Sequence, residues 1–315
     1  MSGGVALQAL VTGLALGAIY GLVGLGFSVL WSLTRVIAFA HGDLVIGSVM
    51  LAVLAVIGTT PVAISPDLVH SIALVVLTLA LGLALSVASY AVAIRPFLGR
   101  GHRGEDLLGW VAGGVTAGLV VRTTLGVALP AAAYAVPDPL HLNDLTASGV
   151  VSLPGGGTVG VRVFPALAIA MLVAVAVDRL LVLSTTGRAI RSIADDPDAA
   201  ALCGVPIERT VVIAFAAAGL LAAVAALLYA PAGAVGVDRG VVLGLDGAAA
   251  AMLGRLGAAR DAVVGGVVLG VVQQLVQATS HLGAAWSELL PLMVLVVVLA
   301  VRPDGLLSPR EAYAE

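Results

Sequence analysis

The chain has 315 residues and a formal net charge of −3; 60% of the residues are hydrophobic and 10% charged, and the mean hydropathy is +1.13. Soluble domains carry about 25% charged residues, so a soluble globular protein is excluded and an all-α, polytopic membrane bundle is expected. The small net charge says nothing about partners, because the distribution of charge across the bilayer is what counts.

A spanning helix needs about 20 mainly apolar residues. In chain order, runs of that kind cover 5–30, 68–94, 107–128, 164–183, 211–230 and 287–301. Three further runs, at 43–57, 242–253 and 262–279, are shorter or interrupted by glycine and polar residues. The expectation is about nine crossings, between eight and ten, in one transmembrane domain over 1–315. Residues 1–4 have no positive charge and the first apolar run is longer than a signal-peptide core, so no cleavage is expected there. Glycines four apart (Gly13, Gly17 and Gly21; Gly109 and Gly113; Gly114 and Gly118; Gly266 and Gly270) put small residues on one helix face, which reads as close helix packing.

All 15 basic residues are arginine. With the N-terminus outside and nine spans, Arg35, Arg95, Arg100, Arg103, Arg179, Arg188, Arg191, Arg209, Arg255, Arg260, Arg302 and Arg310 fall on the cytoplasmic side. Arg162 and Arg239 fall outside and Arg122 within a span. The reverse topology would invert the positive-inside bias, so the C-terminus is expected in the cytoplasm.

Polar residues at membrane depth are costly unless paired or hydrated. The first cluster is Phe39, Ala40, His41, Gly42 and Asp43, just before a short apolar run. Asp43 is placed to cap a helix beginning there, with His41 and the carboxylate able to bond each other and the free amides. A structural cap and a role in translocation or gating both remain open: a cap variant would lower expression, a gating variant would express and fail to transport. Arg122, near the outer end of its span, reads as snorkelling to the interface. Asp246 and Glu288 lie close to expected outer boundaries, where interface residence is the default. On a transport path, one of them would meet the ammonium of a zwitterion, and Arg122 or a helix N-terminus its carboxylate.

The long outer segment, 129–162, carries Pro130, Pro137, Pro139 and Pro154 and then Gly155, Gly156 and Gly157 between alternating apolar residues, which reads as a short β-hairpin. It is expected to cap the spans, or alternatively to dock a soluble delivery protein.

A polar loop at 184–210 interrupts the second half. Asp196 is placed as N-cap, Pro197 as first helical residue, and Asp198 through Cys203 continue a two-turn helix that Gly204 closes. So short a helix is stable only when packed, on its own spans or on another protein. The single Cys203 excludes an internal disulfide, and one Cys with five scattered His offers no metal cluster. With no lysine there is no Walker A lysine, hence no ATPase site of the chain's own.

Two blocks then carry a resemblance. GLALGAIYGLVGLGFSVL at 13–30 followed by RVIAFAHGD at 35–43 resembles the opening of branched-chain amino acid ABC transporter permeases, specifically the H-type subunit, with Ala38 where Asn is usual and Asp43 where Glu is common. Gly187, Arg188, Ala189, Ile190, Arg191, Ser192, Ile193, Ala194, Asp195 and Asp196, then Asp198, Ala199, Ala200 and Gly204, are similar to the family's ATPase-coupling loop. A third stretch, 253–270, resembles the late glycine-rich segments but has Arg255, Arg260 and Asp261 where Gly and a Gly-Pro type turn are usual.

The resemblance implies a non-enzymatic permease subunit of an ABC importer in the bacterial plasma membrane. Gly187, Arg188, Arg191, Asp195, Asp196, Asp198, Ala199, Ala200 and Gly204 would form its ATPase-coupling surface, and Phe39, His41, Gly42 and Asp43 are its translocation or gating candidates. The implied partners are ABC ATPase subunits that bind the ATP, an M-type permease subunit in a heterodimer, an extracellular solute-binding protein and the bilayer, with no nucleic acid. Arg188 and Arg191 would face the ATPase or anionic lipid. No cofactor or metal is implied. A urea or short-amide permease of the same superfamily is the nearest alternative. An ion-coupled secondary transporter would need acidic residues at mid-span, whereas those of this chain cluster near the expected boundaries, and a membrane enzyme would need more than His41 with Asp43.

Overall fold

The computed structural model describes residues 3–34, 38, 40–58, 67–97, 105–129, 133–145, 148–279 and 283–301. Eleven α-helices form over these residues: α1 (Gly3–Thr34), α2 (Ala40–Val56), α3 (Leu68–Ser89), α4 (Glu105–Ala128), α5 (Val163–Leu183), α6 (Thr185–Asp195), α7 (Pro197–Leu202), α8 (Ile207–Tyr229), α9 (Arg239–Leu253), α10 (Ala259–Thr279) and α11 (Gly283–Val301). A π-helical turn, Tyr90–Ile94, continues α3. The all-α membrane architecture is as expected.

Helices α1, α3, α4, α5, α8 and α10 are each long and apolar enough to cross a bilayer, while α2 and the 289–298 part of α11 are shorter apolar helices. The 15 residues of α9 make only about 22 Å at 1.5 Å per residue, short of a ~30 Å hydrocarbon core. The 262–279 run, expected as a crossing although glycine and polar residues interrupt its apolar surface, lies in the 21-residue α10, which is long and apolar enough to cross; Gly266 and Gly270 face α1 and Gly265 packs against Ala250 of α9.

Every residue of α1 from 17 to 30 is buried, as befits a helix that is apolar all round and surrounded by others. Helix α10 runs antiparallel along it, with Gly13 facing Gly270 and Val271, Gly17 facing Gly266 and Val267, and Gly21 facing Val263. A Cβ on Gly17 would start 2.7 Å from the Gly266 carbonyl oxygen and the Val267 Cα. Overpacking of this kind costs about 1–3 kcal/mol or more, and here the obstacle is backbone. Gly17→Leu is therefore expected to lower the melting temperature and the monodisperse yield in detergent, while Gly126→Leu, which meets nothing within 4 Å, leaves both unchanged. Equal melting curves would mean that the α1–α10 contact is not close-packed. The α3–α8 pair repeats the device, with Gly82 against Gly219 and the Ser86 hydroxyl donating to the Phe215 carbonyl at 2.6 Å.

The bundle has two unlike ends. At one, strands β2 (Val150–Ser152) and β3 (Thr158–Gly160) pair antiparallel, Val151 opposite Val159, around Gly155 and Gly156 at φ +93° and +87°. The expected hairpin is there, and it rests on the first turns of α1, where the Gln8 side chain accepts from the Thr158 amide at 3.3 Å. A second ladder joins β1 (Tyr134–Ala135) to β4 (Ala234–Val235). Buried Arg162 donates to the Leu228 carbonyl at 2.8 Å; burial pushes its guanidinium pKa down and Asp138 pushes it back up. The opposite end carries the α5–α8 connection, the α9–α10 turn and the exposed Arg95–Glu208 ion pair at 2.8 Å.

Candidate functional site

The α5–α8 connection is built from two capped helices. Ser184 accepts from the Gly187 amide at 3.0 Å and starts α6, which turns Gly187, Ile190 and Ile193 inward at a spacing of three. A Cβ on Gly187 would fall on the Leu181 carbonyl, so α6 can fold back against α5 only because that residue is glycine. Arg191 donates to the Leu181 and Val182 carbonyls at 2.6 and 3.3 Å and closes the C-terminus of α5.

Asp196 then caps α7 as its position predicts, accepting from the amides of Asp198 and Ala199 at 3.0 Å each. The helix ends at Leu202, one residue before the expected end, in a Schellman turn: Val205 donates to Ala200 at 3.0 Å, Gly204 to Ala201 at 2.9 Å, and Gly204 stands at φ +81°. Only Ala200 of α7 is buried, and Leu202 is 90% exposed. Of the residues named for this surface, Arg188, Asp195, Asp196, Asp198, Ala199 and Gly204 are exposed. Gly187 and Ala200 are buried and shape the loop from beneath. Arg191 is engaged with carbonyls of its own chain. Sequence reasoning missed Leu202, an apolar side chain presented to solvent among acidic neighbours, and the whole of α6, whose signal was Ser184 ahead of the inward stripe.

The second group lies within the bundle. Helix α2 begins at Ala40, so Asp43 sits inside its first turn and is not the cap. Phe39 lies outside the described residues. His41 is 1% exposed, edge-on to Phe27 with ring centroids 4.9 Å apart, and neither ring nitrogen has a hydrogen-bond partner among the described residues. The expected His41–Asp43 bond is absent because residues two apart on a helix point to different sides. His41 instead borders a cavity of about 20 Å³ shared with Thr34, Ser86, Trp110 and Phe215, about the room one water needs. Gly42 packs against Gly240 and Gly244, bringing the start of α2 onto the start of α9.

Asp43 is half-buried where three helices meet. A Cβ on Gly118 of α4 would lie 2.6 Å from its Oδ2, and one on Gly240 of α9 would lie 2.9 Å from its Oδ1. Two glycines thus leave room for the carboxylate, whose Oδ1 is buried without a partner among the described residues. Arg122 and Asp238 act on it electrostatically, and Arg122 ion-pairs with Asp238, its Nε donating at 2.9 Å. Arg122 therefore ends on a carboxylate of its own chain and does not simply snorkel. Two carboxylates and one guanidinium leave this cluster with one surplus negative charge.

Asp246 is corrected as well. It is 3% exposed near the middle of α9, within electrostatic range of the Tyr20 hydroxyl, and is not an interface residue. The helix starts earlier than the apolar run that located it, which moves Asp246 inward. The Glu288 side chain lies outside the described residues.

The profile of the family described as "Branched-chain amino acid transport system / permease component" matches residues 9–299. Among curated proteins the chain is similar to the high-affinity branched-chain amino acid transport system permease protein BraD of Pseudomonas aeruginosa, 27% identical over 311 residues with 97% of this chain and 96% of that protein covered. It is likewise similar to the permease protein LivH of the corresponding system in Salmonella typhimurium, at 24% over 311 residues, and in Escherichia coli K12, at 27% over 316 residues, each match covering 97% of this chain and 96% of the relative.

Proposed function

This chain belongs to the family of branched-chain amino acid transport system permease components, and from that premise we infer that it is the H-type permease subunit of an ABC importer for branched-chain or related amino acids. The observation that carries the reading is α7: a short, doubly capped helix, exposed except at Ala200, standing on a folded support at the arginine-rich end of the bundle. That end holds Arg95, Arg188, Arg191, Arg209, Arg255 and Arg260 against Arg162 and Arg239 at the hairpin end, a bias that by the positive-inside rule supports an orientation with α7 in the cytoplasm and the N-terminus and hairpin outside.

There α7 docks in a groove of a separate ATPase subunit, with Asp195, Asp196, Asp198 and Ala199 around the Leu202 anchor. Arg188 steers assembly more than it holds it. Because α6 is packed on α5 and fastened by Arg191, movement of the ATPases passes into the spans and shifts the permease pair between inward-open and outward-open states. Solute arrives from an extracellular binding protein and crosses at the interface with an M-type partner, meeting the Asp43–Arg122–Asp238 cluster, with His41 beside it as a gating residue. ATP stays on the partner subunits and no bond is made or broken here.

The test is uptake into proteoliposomes holding this chain, the M-type subunit and the ATPases, with binding protein and labelled leucine outside and ATP inside. Leucine accumulation that requires ATP and this chain is expected. ATP-driven uptake of urea without leucine would replace the substrate assignment, and uptake driven by an ion gradient without ATPases would overturn the importer reading.

A further inference from the structure

We propose that a second site, independent of what the bundle carries, binds the phosphate of an anionic lipid headgroup. It is a cavity of about 320 Å³ between the last turns of α1 and α5, the inner face of α6 and the α9–α10 turn, a volume within the range of small-ligand sites. Arg191, Arg255, Arg260, Asp178 and Asp261 line it, a net charge of +1.

These charges are not equally committed. The Arg260 Nε donates to Asp178 at 2.7 Å, and Asp178 is buried. Arg191 is spent on the carbonyls that end α5. Arg255 comes no nearer than 3.7 Å to Asp261, beyond hydrogen-bond length. Its planar fork of donors is therefore only loosely paired among the described residues and can turn to a bidentate oxyanion, the geometry in which arginine surpasses lysine for phosphate. The first turn of α10 also opens on the cavity through Ala259 and Arg260, adding the positive end of a helix dipole.

Position selects lipid as the source. Ser28 and Ser32 line one wall from the end of a membrane-crossing helix, and Leu181 and Val182 line another from the end of a second, so the mouth lies at headgroup depth. Basic pockets between spans at that level take anionic headgroups. An occupant would brace α6 along the face that carries Gly187, Ile190 and Arg191, and so stiffen the connection on which, in the reading proposed above, an ATPase docks.

The experiment uses the full chain purified in detergent, with retained phosphatidylglycerol counted by native mass spectrometry after delipidation and graded re-addition. The native chain is expected to hold one phosphatidylglycerol in preference to phosphatidylcholine. Arg255→Glu and Arg255→Gln, at a half-exposed and loosely paired side chain, should fold normally and weaken that retention about tenfold or more, the loss one charge-assisted pair carries. Arg95→Gln, at the same end but outside the cavity, should leave it unchanged. Unaltered retention in the Arg255 variants, or an equal loss in Arg95→Gln, would overturn the site. Displacement of the lipid by excess inorganic phosphate would overturn the lipid assignment and hand the site to the free anion.

Discussion

Leu202→Asp is expected to abolish co-purification of the ATPase subunits while leaving membrane insertion and the melting curve of the chain unchanged. The second half follows from exposure: Leu202 is 90% exposed, so its replacement removes no internal packing, and surface changes of that kind fall within about 0.5 kcal/mol. The first half follows from what a partner groove must do with it. Full burial of a leucine contributes roughly 1.5–3 kcal/mol, and an unpaired carboxylate in the same groove adds a desolvation cost of several kcal/mol. Together these exceed about 4 kcal/mol, or a thousandfold in affinity. Leu202→Met, which keeps the volume and the apolar surface, should retain the complex.

Gly204→Val tests the same surface by another route. It forces a β-branched residue to φ +81° and costs about 1–2 kcal/mol of loop stability, so a weakened complex is expected, not a lost one. Capture of ATPase by Leu202→Asp at the native level would show that α7 is an ordinary connector, and transport without an ATPase partner would then have to be considered.

Legibility in the sequence followed the range of the interactions. The caps of α7 were readable because Asp196, Pro197 and Gly204 act on amides and carbonyls within a few residues. The hairpin was readable because its turn is three consecutive glycines. Helix starts were not readable where polar first turns precede the apolar runs: α9 opens at Arg239 where the run opens at 242, and α10 at Ala259 where the run opens at 262. That offset is why Asp246 appeared to sit at a boundary. The β1–β4 pairing joins two dipeptides a hundred residues apart and leaves no local pattern. Nor does any pattern announce that Asp238, from the segment between α8 and α9, reaches Arg122 in α4.

That long-range meeting underlies the second large effect. Asp43→Asn is expected to cut ATP-driven leucine uptake by one to two orders of magnitude with expression and subunit assembly intact. The substitution is isosteric, so the space between Gly118 and Gly240 still accepts it, and Asp43 caps no helix whose loss would unfold the protein. What changes is charge. With Arg122 and Asp238 paired, the Asp43 carboxylate is the surplus negative group, and a zwitterion completes the cluster by giving it an ammonium while its own carboxylate competes with Asp238 for Arg122. A hydrogen bond to a charged group contributes about 1.5–3 kcal/mol, which is the 10- to 150-fold range expected. Arg122→Gln should impair uptake as well, by removing the carboxylate's partner, and Asp43→Glu should recover part of the activity because the charge returns in a tighter space. Low expression of Asp43→Asn would assign the residue to folding, whereas normal expression with undiminished uptake would take the cluster off the transport path and leave the small cavity at His41 as the polar feature to probe next.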